Sequence, residues 1–174
     1  GDWIELHNSA EHAVRLKGWT LSDRRNNAWA FPDVTIPPEG YLVVCQDSAA
    51  FRQKYPYVRH VVGNLRFGLN KNAERLALYA SDGSAVDSIA YFIEPLEGNF
   101  SLDLLMPSFD NADPENWTVN TGDGSPGAPN PLFWAKIVSE KKDHALRIGL
   151  AVGLLILGLG AVFLRRGHAY VVGQ

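Results

Sequence analysis

Few residues in this 174-residue chain have the types and spacing that chemistry requires. The sequence contains no nucleophile elbow, no phosphate-binding glycine loop and no zinc-ligand spacing. Glu5 lies between Ile4 and Leu6 in an alternating run, so we expect its side chain to point away from them, toward solvent or a sheet edge. A catalytic carboxylate needs a paired acid, and the sequence identifies none for Glu5. We therefore predict that this chain has no catalytic constellation and is not itself an enzyme.

Histidine and cysteine are also poorly placed for chemistry. The histidines are scattered without the pairing that a metal site needs; they are His7, His12, His60, His144 and His168. Cys45 is the only cysteine, so the chain can form no internal disulfide. It ends the apolar run Tyr41 to Cys45, which favours a half-buried structural thiol over a nucleophile. A single cysteine leaves the redox compartment undecided.

One oxygen-rich cluster spans residues 110–116 and reads DNADPEN. Carboxylate and amide oxygens suit Ca²⁺, so Asp110, Asn111 and Asp113 are candidate calcium ligands. The cluster lacks the spacing and the glycine of an EF-hand loop, and turns rich in Asp and Asn are common before strands. Both interpretations stay open, and we expect no cofactor besides this candidate calcium ion.

The elements that must position these residues are short. Residues 2–45 alternate apolar and polar positions in the runs DWIELHN, LKGWTLSD and FPDVTIPPEGYLVVC, with Gly, Asn and Pro between them. This pattern predicts short antiparallel strands joined by tight turns. Asp47 or Ser48 can cap one short helix that Pro56 stops. Glu74 to Ala80 and Ala85 to Tyr91 predict a hairpin that turns at an Asp-Gly pair.

Two further strands and a linker are predicted after this hairpin. Phe100 to Leu105 and Trp117 to Val119 favour strands, whereas Asn120 to Pro131 is rich in Gly, Pro and Asn and is typical of an exit linker. Trp3, Trp19, Trp29 and Trp117 are expected to pack in the core and on the sheet faces.

Charge divides the chain into two parts. Residues 1–134 carry 10 basic and 17 acidic residues, a formal charge of −7, whereas residues 135–174 carry 6 basic and 2 acidic residues, a charge of +4. The negative charge of residues 1–134 argues against nucleic-acid binding, because binding to phosphates needs a positive face. The basic part flanks an apolar run.

That apolar run, Ile148 to Leu164, contains no charged residue over 17 positions. A span of this length is near the lower limit for crossing a bilayer, and a snorkelling Arg147 can extend it. We predict a single transmembrane helix, with Trp134 as an interfacial anchor and Arg165 and Arg166 as the stop. The bilayer is then one partner of this chain.

Two properties of this predicted helix follow from its flanks and its small residues. Gly149 and Gly153 fit the small-residue pattern of helix dimers, so helix-mediated self-association is an open alternative. The positive-inside rule would place the head inside, because four basic residues precede the helix and two follow it. A long domain crosses largely regardless of charge, and we favour an extracytoplasmic head with a cytoplasmic C-terminus.

The motifs DWIELHN, LKGWTLSD, FPDVTIPPEGYLVV, RLALYASDGSAVDSIAY, DPENW and GSPGAPNP together resemble the lamin-tail domain in its bacterial cell-surface form. The resemblance runs from Gly1 to about Pro131 and implies an immunoglobulin-like β-sandwich. The family's usual opening strand is absent before Asp2, which leaves a neighbouring strand with an exposed edge. We expect this chain to be the C-terminal piece of a longer protein that supplies that strand.

The predicted fold is therefore an all-β immunoglobulin-like sandwich plus one C-terminal transmembrane α-helix. Its parts are a head (1–119), a linker (120–134), a basic juxtamembrane segment (135–147), the helix (148–164) and a short basic tail (165–174). The favoured function is a non-catalytic interaction or structural module at a bacterial cell surface or periplasm, with a protein or surface-polymer partner that the sequence does not identify. The alternative is the accessory domain and anchor of a larger hydrolase, such as a nuclease, whose catalytic part lies upstream.

Overall fold

The computed structural model describes residues 1–131 and residue 142. Short strands dominate the described residues because alternating apolar runs are interrupted every few positions by turn residues. The elements are β1 (Trp3–His7), β2 (Val14–Arg15), β3 (Thr20–Ser22), β4 (Ala28–Ala30), β5 (Thr35–Ile36), β6 (Tyr41–Cys45), α1 (Ser48–Lys54), β7 (Val61–Val62), β8 (Ala73–Tyr79), β9 (Ala85–Phe92), β10 (Ser101–Leu104), a 3-10 turn (Pro114–Asn116) and β11 (Trp117–Asn120).

Two sheets face each other across the main core. The first has the order β1-β6-β7, in which β1 runs antiparallel and β7 parallel to β6. The second has the order β4-β3-β8-β9 and is antiparallel throughout. The buried residues between them come from both sheets, from β5, which pairs with β2 in a separate short sheet, and from the connecting loops; they are Leu16, Leu21, Trp29, Phe31, Ile36, Leu42, Val44, Leu65, Phe67 and Leu76.

The first sheet is buried on both of its faces. Leu42 and Val44 of β6 point into the main core, whereas Val43 and Cys45 point into a second cluster with Phe51 of α1. A strand covered on both faces needs a continuous apolar run rather than strict alternation, which explains the sequence YLVVC. The helix therefore forms a second layer over the sheet.

Most local predictions are confirmed by the structure. Asp47 caps α1 by accepting hydrogen bonds from the amides of Ala49 and Ala50. The β8–β9 hairpin turns at Asp82 and Gly83, and Gly83 has a φ of +83°, which only glycine adopts without strain. The parallel strand β7 was not predicted, because its two valines are too short a run to show alternation.

Residues 121–130, which composition predicts as a linker, pack against the head. Pro126 and Asn130 are buried there, and residues 1–131 form one compact unit. A composition rich in Gly, Pro and Asn predicts that a segment lacks helices and strands. It does not show whether that segment packs against the rest of the domain.

Candidate interaction site at the edge of the sandwich

Strand β1 has a strand partner on one edge only within the described residues. The amide of Gln46 donates to the carbonyl of Asp2 at 3.1 Å, and the amide of Asn8 donates to the carbonyl of Gly40 at 2.9 Å. Backbone groups alternate in direction along an antiparallel strand, so the even-numbered residues of β1 bond to β6. The N–H and C=O groups of Trp3, Glu5 and His7 therefore point to the other edge.

A cavity of about 1080 Å³ lies beside that edge. Its lining comes from β1, from β9 and β10, from α1 and from parts of residues 122–130, and we call it the β1 seam. Ile4 and Leu6 line it from the core face of β1, and Trp3 and Glu5 line it from the opposite face. A cavity can touch both faces of one strand only by passing around the edge of that strand.

Glu5 points away from Ile4 and Leu6, as expected from the alternation, but it does not point into open solvent. It is half-buried, and its Oε2 accepts a hydrogen bond from the amide of Gly127 at 2.5 Å. Burial raises the pKa of Glu5 from 4.5 to about 7, the Gly127 hydrogen bond opposes this change, and the charge of Asp103 adds to it. The sequence did not identify Asp103 as a neighbouring acid because 98 positions separate the two residues.

The segment of residues 121–130 reaches Glu5 because side chains at the C-terminal end of α1 hold it in place. The hydroxyl of Tyr55 donates to the carbonyl of Asp123 at 2.6 Å, and the ammonium of Lys54 lies 2.7 Å from the Asp123 carboxylate. Gly127 sits against Val58, where a Cβ atom would come within 3.3 Å of a methyl group. Small residues thus let this segment lie flat on the second layer.

The β1 seam is lined by more acids than bases. Its two lysines are Lys54, which pairs with Asp123, and Lys71, which donates to the carbonyl of Gly98. The acidic surroundings also affect Tyr91 on β9. Desolvation, followed by the charges of Glu74 and Asp2, raises the pKa of its hydroxyl to about 12. The acids that line the seam are Asp2, Glu5, Asp47, Asp87, Asp103, Asp110 and Asp123.

The candidate calcium ligands take part in turn hydrogen bonds. Asp110 Oδ1 accepts from the amide of Ala112, and Asp113 Oδ1 accepts from the amide of Glu115, each at 2.9 Å. Asn111 donates its side-chain amide to Asp87 at 2.8 Å. Within the described residues, no three His, Cys, Asp or Glu side chains come together as a metal site. The calcium ion stays a prediction.

The buried carboxylates of Asp23 and Glu74 hold loops in place through hydrogen bonds. Asp23 accepts from the amides of Arg25 and Asn27, and these bonds, with the side-chain amide of Asn27, lower its pKa although burial acts in the opposite direction. Buried Glu74 accepts from the amides of Arg24 and Arg75. Buried carboxylates need such donors, so these acids have a structural role.

The predicted membrane anchor lies outside the described residues, and so do Trp134, Arg147, Gly149, Gly153, Arg165 and Arg166. Among residues 1–131 and 142, the structure contains no helix with the length and apolar character that a bilayer crossing needs.

These observations define an immunoglobulin-like β-sandwich, which is the architecture of an interaction or structural module. A family model, the Lamin Tail Domain, matches residues 1–92, more than half of the chain, and the chain belongs to that family. The match ends before the DPENW and GSPGAPNP motifs, so β10, β11 and the segment of residues 121–130 lie beyond it. Lamin tail domains are non-catalytic modules. A search of curated proteins found no match.

Proposed function

We propose that this chain is a non-catalytic interaction module that displays its sandwich at a bacterial cell surface or periplasm. In this proposal the helix 148–164 tethers the head, and the C-terminus lies in the cytoplasm. The observation that carries it is the contrast between residues 1–134, with a formal charge of −7, and an uncharged run of 17 residues between basic flanks. The match of residues 1–92 to the Lamin Tail Domain supports an interaction or structural role.

The tether is tested by membrane fractionation of the full chain after alkaline extraction. We expect the unmodified chain to stay in the pellet and Ile156→Lys to be partly released, because a central Lys costs about 2.5–3.5 kcal/mol of insertion free energy. Ile156→Leu is the matched control and should stay in the pellet. Extraction of the unmodified chain into the supernatant would contradict the tether.

The orientation is tested with a single accessible thiol. Ser9 is exposed, whereas Cys45 is buried, so Ser9→Cys gives a labelling site on the head. We expect a membrane-impermeant maleimide to label Ser9→Cys in intact spheroplasts and to leave the unmodified chain unlabelled. Labelling of Ser9→Cys only after lysis would place the head in the cytoplasm.

The partner in this proposal is a protein or a surface polymer rather than nucleic acid. Residues 1–134 carry a formal charge of −7 and repel phosphate, so we expect no retention on DNA at physiological salt. Self-association through Gly149 and Gly153 remains part of the proposal and predicts that Gly153→Leu reduces crosslinked dimers in membranes. No observation on the described residues favours the accessory role beside an upstream hydrolase, which stays a prediction.

A further inference from the structure

The loop between β9 and β10 contains an acceptor motif for an N-linked glycan. Residues 97–101 read EGNFS, so Ser101 follows Asn99 by two positions and Phe100, not proline, stands between them. An asparagine in this spacing from a serine or threonine is the acceptor for glycan attachment in secreted proteins. The fold has to confirm such a motif, because the modified asparagine must lie in a surface loop.

The structure places Asn99 in such a loop. Asn99 is exposed and lies between the end of β9 at Phe92 and the start of β10 at Ser101. Its side chain makes no hydrogen bond within the described residues. The preceding turn is held by Gly98, which has a φ of +83° and whose carbonyl accepts from the ammonium of Lys71 at 3.2 Å. An oligosaccharide on Nδ2 of Asn99 would therefore extend into solvent without displacing a contact of the head.

A second motif of the same kind, residues 116–118, is poorly placed to carry a glycan. Asn116 is partly buried, and its side-chain amide donates to the carbonyl of Asp110 at 2.9 Å. Thr118 lies inside β11, where it pairs with Asp103 of β10. A glycan on Asn116 would occupy the nitrogen that holds this turn, so we expect the folded head to carry none there.

The hydroxyl of Ser101 has no function in the folded head. Its Oγ is buried and has no hydrogen-bond partner within the described residues. Residues 121–130 cover it, since a Cβ atom on Gly124 would lie 3.1 Å from this oxygen. A buried hydroxyl without a partner lowers stability, and alanine would avoid that loss. The acceptor motif, in contrast, requires a hydroxyl at this position.

We propose that Asn99 is glycosylated by an oligosaccharide donor that is linked through a diphosphate to a membrane lipid. The transfer takes place before residues 121–130 cover Ser101, while the transferase can still reach the serine hydroxyl. Nδ2 of Asn99 forms a bond to the anomeric carbon as the bond from that carbon to the diphosphate oxygen breaks. The amide nitrogen loses one proton to a base of the transferase, and the lipid diphosphate leaves. This site rests on the proposed function, because it needs a head on the extracytoplasmic side.

The test is mass spectrometry of the full chain, isolated from the membranes of its natural host and cleaved by a glutamate-specific protease. Cleavage after Glu97 and Glu115 separates the two motifs into peptides 98–115 and 116–140. We expect peptide 98–115 to be heavier by the mass of an oligosaccharide and to release sugar fragment ions. Peptide 116–140 should have the mass of the unmodified sequence.

Three variants test the roles of the motif residues. Asn99→Gln and Ser101→Ala should each abolish the added mass, and the matched control Asn116→Gln should retain it. The unmodified chain and Ser101→Ala are also produced in a host that lacks the transferase, so that their melting temperatures can be compared without a glycan. Ser101→Ala should melt at the same or a higher temperature, because it removes only a buried hydroxyl without a partner.

Several results would overturn this proposal. They are a glycan on Asn116, an added mass that persists in Ser101→Ala, or a melting temperature of Ser101→Ala lower by several degrees. An unmodified peptide 98–115 from a chain whose Ser9→Cys variant is labelled in intact spheroplasts would overturn the glycan site and leave the display role. An unmodified peptide together with labelling only after lysis would overturn both proposals.

Discussion

The pH dependence of folding should depend measurably on Glu5. Its carboxyl group has a pKa of about 7 in the folded head, against an ordinary value of 4.5. A raised carboxyl pKa means that the folded state favours the neutral acid. Glu5 therefore imposes no electrostatic cost below pH 4.5, an increasing cost between pH 4.5 and 7, and its full cost above pH 7.

The size of this cost follows from the shift. Each pKa unit corresponds to about 1.4 kcal/mol, so the shift of Glu5 from 4.5 to about 7 sets an upper limit of roughly 3–4 kcal/mol. Because Glu5 is half-buried and keeps some access to water, we expect about 2 kcal/mol. Glu5→Gln removes the ionisation and keeps an oxygen that can accept from Gly127. The free energy of unfolding of Glu5→Gln, relative to the unmodified chain, should therefore rise by about 2 kcal/mol between pH 4 and pH 8.

The assay is urea unfolding of the full chain in detergent, followed by tryptophan fluorescence at several pH values between 4 and 8. Comparing the two proteins at each pH cancels the titration of the other groups. Asp103→Asn should move the pH dependence to lower pH, because it removes a charge that raises the pKa of Glu5. A difference for Glu5→Gln that stays within about 0.5 kcal/mol from pH 4 to pH 8 would refute this account of Glu5.

Three further predictions concern the head. Leu42→Ala should lower the free energy of unfolding by about 2–5 kcal/mol, because Leu42 is 1% exposed and its truncation leaves a cavity. Urea unfolding at one pH measures this loss, and a loss below about 1 kcal/mol would contradict the core packing of Leu42. Asp47→Ala should cost about 1 kcal/mol by removing the cap of α1, with Asp47→Asn retaining most of the stability, and equal losses in both variants would exclude the capping role. A calcium chelator should leave the melting temperature unchanged, because Asp110 and Asp113 serve turn amides, and a drop of several degrees would instead support the calcium site.

The sequence by itself determined the local elements and the family. Alternation placed β1, the apolar run YLVVC placed β6, the Asp82–Gly83 turn fixed the β8–β9 hairpin, and Asp47 marked the start of α1. These features depend on residues within a few positions of each other, so a single sequence carries them. The ordered motifs led to the lamin-tail family, to which residues 1–92 belong.

Only the tertiary structure decided what surrounds β1. The hydrogen bond from Gly127 to Glu5 joins residues 122 positions apart, and Tyr55 holds Asp123 across 68 positions. Such contacts depend on how the chain folds back over the second layer, and no local pattern reports that path. For the same reason no local pattern predicted an acidic neighbour for Glu5, whereas in the fold burial raises the pKa of Glu5 and the charge of Asp103 adds to that change.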